Sequence, residues 1–383
     1  MKNYGRASVH EFLGDRVVYR NLVPADPGLP PLAEVRPRIG LPEDLVPRKA
    51  APEYARVIVH LLRQARAMDL PGATISRLIL VGDTPMNDGT AFTNICQAGD
   101  WPGLAFIGAD RDEPASVELI ERDKEVLYVA NRWQALADFA QFCRDQNFPI
   151  DEGTAIIVDL DKTAVGARGR NDHVIDLARV DAVRRTVGDL LRDDFDRDSF
   201  QTAYNLLNQL EFHPFTADNQ DYLAYLCLIL GSGLYLLDSL VAEVRAGRMA
   251  SFQQFINEVD GRAGELPASL LQIHRDIHDG VLKGDPTPFK AFRYTEYRAT
   301  VEKMGWLPEG TAVEALLADE IVITQEVREA ALAWLGQGAL LFGLSDKPDE
   351  ASIPSSELAA QGYQPIHRVA THAVGTVAMI REA

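Results

Sequence analysis

The sequence contains few cysteines, fewer basic than acidic residues and no long apolar segment, and each shortage excludes a class of protein. Its three cysteines among 383 residues are isolated, so they predict neither a disulfide framework nor a CxxC metal site. Lysine and arginine total 38 against 56 acidic residues, a net charge of −18. Binding to a nucleic-acid backbone needs a basic face. We therefore expect no nucleic-acid partner.

Segments typical of membrane insertion or export are also missing. The longest apolar run, from Tyr222 to Leu237, is interrupted by Gly231 and Gly233. It falls short of the ~18–20 residues that span a bilayer, so we expect one or two buried helices there. The first residues lack the apolar core of a signal peptide. These features predict a cytoplasmic protein without a membrane partner.

Three apolar runs of mostly branched residues end at an acidic or hydroxyl residue. Residues 78–82 lead to Asp83, residues 155–158 lead to Asp159, and residues 339–344 lead to Ser345. Such runs are typical of parallel strands that are buried on both faces. Ligands bind at the carboxyl ends of strands in open parallel sheets. The runs therefore predict one anionic pocket that also contains Asp161.

The chain alternates strand and helix patterns at both ends but not in the middle. Its length favours two domains. The alternation predicts an α/β fold with a doubly wound parallel sheet over residues 1–174 and 318–383. Residues 175–317 are almost free of strand patterns, which predicts an inserted all-helical cap domain. The proline-rich residues 20–52 contain few periodic segments and are expected to wrap the surface.

Asp159 and Asp161 are alternate residues at a strand end, so their side chains share one side. A carboxylate can accept a phosphoryl group as a nucleophile, and a neighbouring carboxyl can exchange protons with the leaving oxygen and with water. Asp83 adds a third negative charge, which calls for a hard cation, and Mg²⁺ suits oxygen ligands and phosphate. Ser345 and a lysine are expected to hold the remaining phosphate oxygens.

These segments resemble motifs of the haloacid dehalogenase-like (HAD) hydrolase superfamily. Residues 159–163 (DLDKT) resemble its DxDxT signature, residues 81–88 its acidic metal-binding motif, and Ser345 its hydroxyl motif. The resemblance implies a Rossmann-like, HAD-type core with Asp159 as nucleophile and Asp161 as general acid and base. It also implies Mg²⁺ on Asp159, the carbonyl of Asp161 and Asp83. Thr163 is expected to contact the substrate.

Two departures from the family pattern leave alternatives open. The acidic motif precedes the nucleophile here, an order that a circular permutation would give. The second acidic ligand usually comes four residues after the first, where this chain has Asn87, and Asp88 is one residue beyond. Either residue can complete the metal site. The phosphate-binding lysine is likewise either Lys49, which precedes a predicted helix, or Lys347, two residues after Ser345.

Other charged and glycine-containing segments give weaker signals. Arg168 and Arg170 follow the DxDxT segment, and we expect an exposed basic loop there, with a grip on the substrate as the alternative. His274 and His278 are four residues apart, but no third zinc ligand is evident. No segment matches a P-loop or a dinucleotide fingerprint.

The sequence thus predicts a Mg²⁺-dependent phosphohydrolase that acts on a small phosphorylated metabolite through an aspartyl-phosphate intermediate. The alternative is a non-catalytic HAD-like module that binds a phosphorylated ligand or a protein partner. Carbon–halogen hydrolysis is a weaker option, because such relatives typically lack the second aspartate of the signature and Asp161 is present.

Overall fold

The computed structural model describes residues 1–43 and 45–376 as a mixed α/β protein. Its strands are β1 (Lys2–Ala7), β2 (Val17–Val18), β3 (Arg77–Gly82), β4 (Gly103–Gly108), β5 (Val117–Arg122), β6 (Glu125–Ala130), β7 (Thr154–Asp159), β8 (Ile323–Thr324), β9 (Leu340–Leu344) and β10 (Thr371–Gly375). Its helices are α1 (His10–Leu13), α2 (Leu32–Ile39), α3 (Pro52–Asp69), α4 (Thr90–Gly99), α5 (Leu136–Asp145), α6 (Asp172–Leu191), α7 (Arg197–Leu207), α8 (His213–Thr216), α9 (Gln220–Gly231), α10 (Leu237–Arg245), α11 (Phe252–Gly261), α12 (Ala268–Leu282), α13 (Lys290–Glu302), α14 (Val313–Asp319), α15 (Gln325–Gly336) and α16 (Ser356–Ala360).

The central sheet has seven strands in the order β2-β9-β7-β3-β4-β6-β5. Every neighbouring pair is parallel except β5 with β6. The predicted parallel α/β arrangement is therefore confirmed at this level. The inner strands β3, β4, β7 and β9 are almost wholly buried, which explains why they are continuous apolar runs rather than alternating ones.

Helices cover both faces of this sheet. On one face, Leu80 and Ile157 belong to a core cluster with Leu61 of α3 and Phe92 of α4. On the other, the ring of Phe106 packs 5.7 Å from that of Phe139 in α5, measured between ring centroids. Successive strand residues point to opposite faces, so one strand supplies both cores.

The register aligns the carboxyl ends of the three adjacent strands β9, β7 and β3. Val81 of β3 is paired with Val158 of β7, and Asp159 of β7 is paired with Leu344 of β9. Asp83 follows β3 directly and Ser345 follows β9 directly. The three segments that the sequence singled out therefore end at one edge of the sheet, on adjacent strands.

Three elements were not predicted. A small second sheet has the order β1-β10-β8. The antiparallel strand β5 lies at the end of the large sheet and is largely exposed. Helix α2 lies within the proline-rich region, where no helix was predicted, and it contains Pro37. The expected helices over residues 222–244 form two elements, α9 and α10.

The chain divides into two compact units. The first comprises Met1–Leu177, Thr300–Ile353 and the described residues from 358 onward, and the second comprises Ala178–Ala299 with Pro354–Glu357. The first unit therefore resumes at Thr300, earlier than the predicted residue 318. Contacts such as that of the Gly305 N–H with Thr371 Oγ1, at 3.0 Å, tie this segment to β10. Among the described residues, no helix has the length and apolar character to cross a membrane.

Candidate functional site

Three buried carboxylates meet at the carboxyl edge of β3 and β7. Asp83 follows β3, Asp159 ends β7, and Asp88 lies in the turn after Asp83. Each residue offers one oxygen such that these oxygens lie within 4.8 Å of one another. Their exposed fractions are 8%, 6% and 2%, respectively. A single hard cation can bridge oxygens at this spacing.

A π-helical turn decides which residue after Asp83 joins the cluster. Residues Pro85–Gly89 form this turn, in which the N–H of Gly89 donates to the carbonyl of Thr84 at 3.2 Å, five residues back. The wider turn accommodates one extra residue and returns Asp88 toward Asp83, whereas Asn87 is exposed. The Oδ2 of Asp88 accepts the N–H groups of Asp83 and Thr84, each at 2.9 Å.

Lys49 reaches this cluster. Its Nζ donates to Asp88 Oδ1 at 2.6 Å and to Asp159 Oδ1 at 2.5 Å, and the side chain is buried. Lys49 lies just before α3, which begins at Pro52. Lys347 is also buried, and its N–H donates to the Oγ of Ser345 at 3.0 Å. The geometry thus favours Lys49 over Lys347 as the residue next to Asp159.

Arg168 supplies a second cation to the cluster. Its Nε donates to Asp83 Oδ2, and its side chain is 36% exposed. The prediction of an exposed basic loop is wrong for Arg170, because its side chain is only 4% exposed. Arg170 donates to Asp110 at 2.7 Å and to Glu326 at 2.9 and 3.1 Å. Arg170 therefore holds this loop in place through buried ion pairs, and Arg168 is directed to the carboxylate cluster.

Charge and burial set the proton affinities of the three carboxyls. Burial raises the pKa of Asp83 to about 7, with a further contribution from Asp88 and opposition from Arg168. Burial also raises the pKa of Asp159 well above its ordinary value, against the ammonium of Lys49. Burial would raise the pKa of Asp88 as well, but the charge of Lys49 and the hydrogen bonds with Asp83, Lys49 and the Thr84 backbone together outweigh burial, and the net pKa is lowered. Three carboxyls thus face two cations.

The remaining predicted residues are not among the three clustered carboxylates. Asp161 is partly buried, and within the described ranges its carboxylate makes no hydrogen bond or ion pair. It lines a small cavity together with His367. The Oγ1 of Thr163 is buried and has no hydrogen-bond partner among the described residues. Ser345 is buried at the end of β9. Asn87, although predicted as a possible ligand, is not brought into the cluster.

Two neighbours of the cluster were missed or underrated by sequence reasoning. The hydroxyl of Tyr54 is buried, and in the part of the chain that the structure describes it has no hydrogen-bond partner. Burial raises the pKa of this hydroxyl, the positive charge of Lys49 opposes that shift, and the negative charge of Asp159 adds to it. A tyrosine in an amphipathic helix carries no sequence pattern that would predict its location beside the carboxylate cluster. Arg168 could be suspected only from its closeness to the DxDxT segment.

The histidine pair of the second unit, His274 and His278, contacts neighbouring polar side chains. Nδ1 of His274 lies 2.6 Å from the hydroxyl of Tyr225, and Nε2 lies 3.3 Å from Asp260 Oδ1. Nε2 of His278 lies 3.1 Å from Asn257 Oδ1. Both ring nitrogens of His274 are therefore engaged by neighbouring side chains.

Comparison of this chain with protein-family models, with curated proteins and with solved structures found no match.

Proposed function

We propose that this protein is a Mg²⁺-dependent phosphohydrolase of the HAD-like kind. It transfers the phosphoryl group of a small phosphorylated metabolite first to Asp159 and then to water. One observation carries the proposal: Asp83 and Asp88 meet Asp159 across adjacent strands, and Lys49 contacts both Asp88 and Asp159. The motifs that resemble the superfamily's are therefore neighbours in space, although they are separated and reordered along the sequence.

The donor set fits a magnesium ion. All three candidate ligands are carboxylates, and hard cations prefer oxygen, whereas zinc prefers nitrogen and sulfur. The cluster holds three acidic side chains against the two cations Lys49 and Arg168. When bound, Mg²⁺ would offset the charge of the carboxylates and of the substrate's phosphate. Asp83, Asp88 and Asp159 would hold the ion.

The chain's own residues account for both halves of the reaction. An Oδ of Asp159 attacks phosphorus, and the bond from phosphorus to the leaving oxygen breaks. Asp161, whose carboxyl is free of partners among the described residues, donates the proton that the leaving oxygen needs. It then takes a proton from water, which attacks phosphorus and releases phosphate and the Asp159 carboxylate.

Other side chains position the phosphoryl group. Lys49 lies between Asp88 and Asp159, where its ammonium can approach a phosphoryl oxygen and keep the nucleophile in place. The hydroxyl of Thr163 has no partner among the described residues, so it is available as a donor. Ser345 at the adjacent strand end is the further hydroxyl, and Lys347 follows it.

A non-catalytic binding module remains the second candidate, and one observation favours it. Arg168 occupies Asp83, and Lys49 occupies Asp88 and Asp159, so most of the cluster's charge is compensated by the chain itself. Such a pocket can hold a phosphorylated ligand without turning it over. The alternative predicts Mg²⁺ or phosphate binding with no release of phosphate from any ester.

Phosphate release separates the two candidates. The full chain is incubated with an aryl phosphate and a panel of sugar, nucleotide and acid phosphates, with Mg²⁺ or with a chelator. We expect release that needs Mg²⁺ and that disappears in Asp159→Asn. Asp100→Asn, at the exposed end of α4, is the matched control and should retain release. Folded wild-type protein that binds Mg²⁺ but hydrolyses nothing in the panel would favour the binding module.

A further inference from the structure

The guanidinium of Arg168 is only partly used. Its Nε donates to Asp83 Oδ2, while its two Nη groups donate to no acceptor within residues 1–43 and 45–376. The side chain is 36% exposed, against 7% for that of Asp83. One edge of the guanidinium therefore faces the carboxylate cluster and its other donors remain available to a ligand. Carboxylates and phosphates are the groups that this planar fork binds best.

The backbone that carries Arg168 is fixed. Its N–H donates to the carbonyl of Lys162 at 2.8 Å, and its carbonyl accepts from Asp110 N at 2.9 Å and from Trp133 Nε1 at 3.1 Å. The next residue, Gly169, has φ of +74° and no room for a side chain, because a Cβ would lie 1.8 Å from the Asp110 carbonyl oxygen. A change of partner by Arg168 is therefore a side-chain rotation about an anchored Cα.

We propose that Arg168 exchanges partners during the reaction cycle. It neutralises Asp83 while the metal site lacks a cation, and it binds an anionic oxygen of the substrate once a divalent cation takes over Asp83. The inference rests on the proposed function. It adds a residue that links cation binding to recognition of an oxyanion, here the phosphoryl group of the substrate.

Charge explains why the exchange is favourable in both directions. In this structure, Asp83 is a buried carboxyl beside Asp88, and Arg168 is its counter-ion. With the cation present, Asp83 has a stronger partner and the guanidinium is surplus at that carboxylate. A phosphate in the pocket brings negative charge within reach of the freed donors, and arginine can meet it with two parallel hydrogen bonds. Arg168 thus opposes the cation and assists the phosphate.

These opposite effects define the experiment. Binding of Mg²⁺ alone, and of inorganic phosphate in saturating Mg²⁺, is measured by calorimetry on the full chain as wild type, Arg168→Gln and Arg168→Lys. Arg77→Gln is the matched control, because Arg77 pairs with Asp151 at the opposite end of β3. We expect Arg168→Gln to bind Mg²⁺ about 3- to 10-fold more tightly, because a competing cation is gone. We expect its phosphate affinity to fall about 10-fold or more, which corresponds to loss of a charge-assisted contact.

The two variants of Arg168 separate the effect of its positive charge from that of its planar guanidinium. Arg168→Lys keeps the charge but not the fork, so it should bind Mg²⁺ as wild type does and still lose phosphate affinity. Unchanged or weaker Mg²⁺ binding in Arg168→Gln would overturn the inference, and so would unchanged phosphate binding. If Arg168→Gln does not fold, the phosphate affinity of Arg168→Lys decides alone.

The inference and the proposed function can fail separately. Wild-type protein that hydrolyses phosphate esters, with Arg168→Gln like wild type in both titrations, overturns only the inference. Wild-type protein with the expected titrations but no turnover supports the inference and overturns the catalytic proposal. Wild-type protein that binds neither Mg²⁺ nor phosphate overturns both.

Discussion

Gly82 and Asp88 are packed against each other where β3 ends. A Cβ added to Gly82 would lie 2.6 Å from the Cβ of Asp88 and 2.8 Å from its Oδ2, closer than real side-chain atoms approach. The last residue of the strand must therefore lack a side chain for the π-helical turn to fold back. The placement of Asp88 beside Asp83 depends on this contact.

The first prediction concerns this contact. Gly82→Ala should displace the turn and the Asp88 carboxylate, lowering Mg²⁺ affinity at least about 10-fold, because a shift of about 1 Å in a site is enough for losses of this size. Calorimetric titration with Mg²⁺ measures the change. Gly336→Ala is the control, since a Cβ there meets no atom within 4 Å. Equal Mg²⁺ affinity in Gly82→Ala and wild type would show that the cluster does not bind the ion.

The second prediction separates Asn87 from Asp88. Asp88→Asn removes a buried charge that faces Lys49, so we expect Mg²⁺ affinity to fall by about 100-fold and turnover to fall with it. Asn87→Ala changes an exposed side chain outside the cluster and should leave both quantities within about twofold of wild type. Titration and phosphate-release rates on both variants test the choice. The reverse ranking would contradict the role given to the π-helical turn.

The third prediction concerns Lys49. Lys49→Met leaves Asp88 and Asp159 buried without their shared cation, and breaking a buried ion pair from one side costs about 3–5 kcal/mol of unfolding free energy. Mg²⁺ should restore part of that stability, because it replaces the lost charge. Urea unfolding with and without Mg²⁺ measures both effects, and phosphate release should fall about 100-fold or more. Lys347→Met should keep more turnover than Lys49→Met, and equal or greater loss there would favour Lys347 as the phosphate ligand.

The fourth prediction is a pH dependence in the helical unit. Burial of His274 lowers its pKa below the ordinary 6.5, although Asp260 opposes the shift. Above about pH 6.5 both folded and unfolded chains hold this histidine neutral, so its stabilising contribution is complete. As the pH falls below 6.5 the unfolded chain takes up a proton first, and stability is lost until the pH passes the lowered pKa.

Unfolding free energies between pH 8 and pH 5 test this sign. On acidification below pH 6.5, the unfolding free energy of wild type should fall more steeply than that of His274→Gln. The two slopes should differ by up to about 1.4 kcal/mol per pH unit. His213→Gln, in a partly exposed position of the same unit, is the control. A wild-type curve parallel to that of His274→Gln would mean that His274 is not held neutral by burial.

The convergence of the acidic segments was predictable from the sequence because it follows from strand polarity. Asp83 and Asp159 each end an apolar run, and parallel neighbours place their carboxyl ends together. The sheet was equally predictable where burial makes a strand continuously apolar. β5 was missed because it lies at the sheet edge with exposed charged residues and no apolar run, and α2 because Pro37 is a helix breaker in most contexts.

Selection among neighbouring candidates required backbone geometry. Asn87 and Asp88 differ by one position, and only the π-helical hydrogen bond to Thr84 decides which of them points inward. Arg168 reaches Asp83 because its loop is anchored on Asp110, a residue of another strand end, and sequence distance gives no sign of that contact. The burial of Arg170 has the same origin, since its partner Glu326 lies far along the chain. Long-range pairing of this kind leaves no local pattern.

The transfer of a phosphoryl group to Asp159 is the central claim, and trapping tests it most directly. The full chain is incubated with an aryl phosphate and Mg²⁺ and quenched with borohydride, which reduces an aspartyl phosphate to homoserine, and the peptides are analysed by mass spectrometry. We predict homoserine at position 159, dependent on both substrate and Mg²⁺, and none at Asp83, Asp88 or Asp161. Release of phosphate with Asp159 unmodified, or modification of another aspartate instead, would contradict the account.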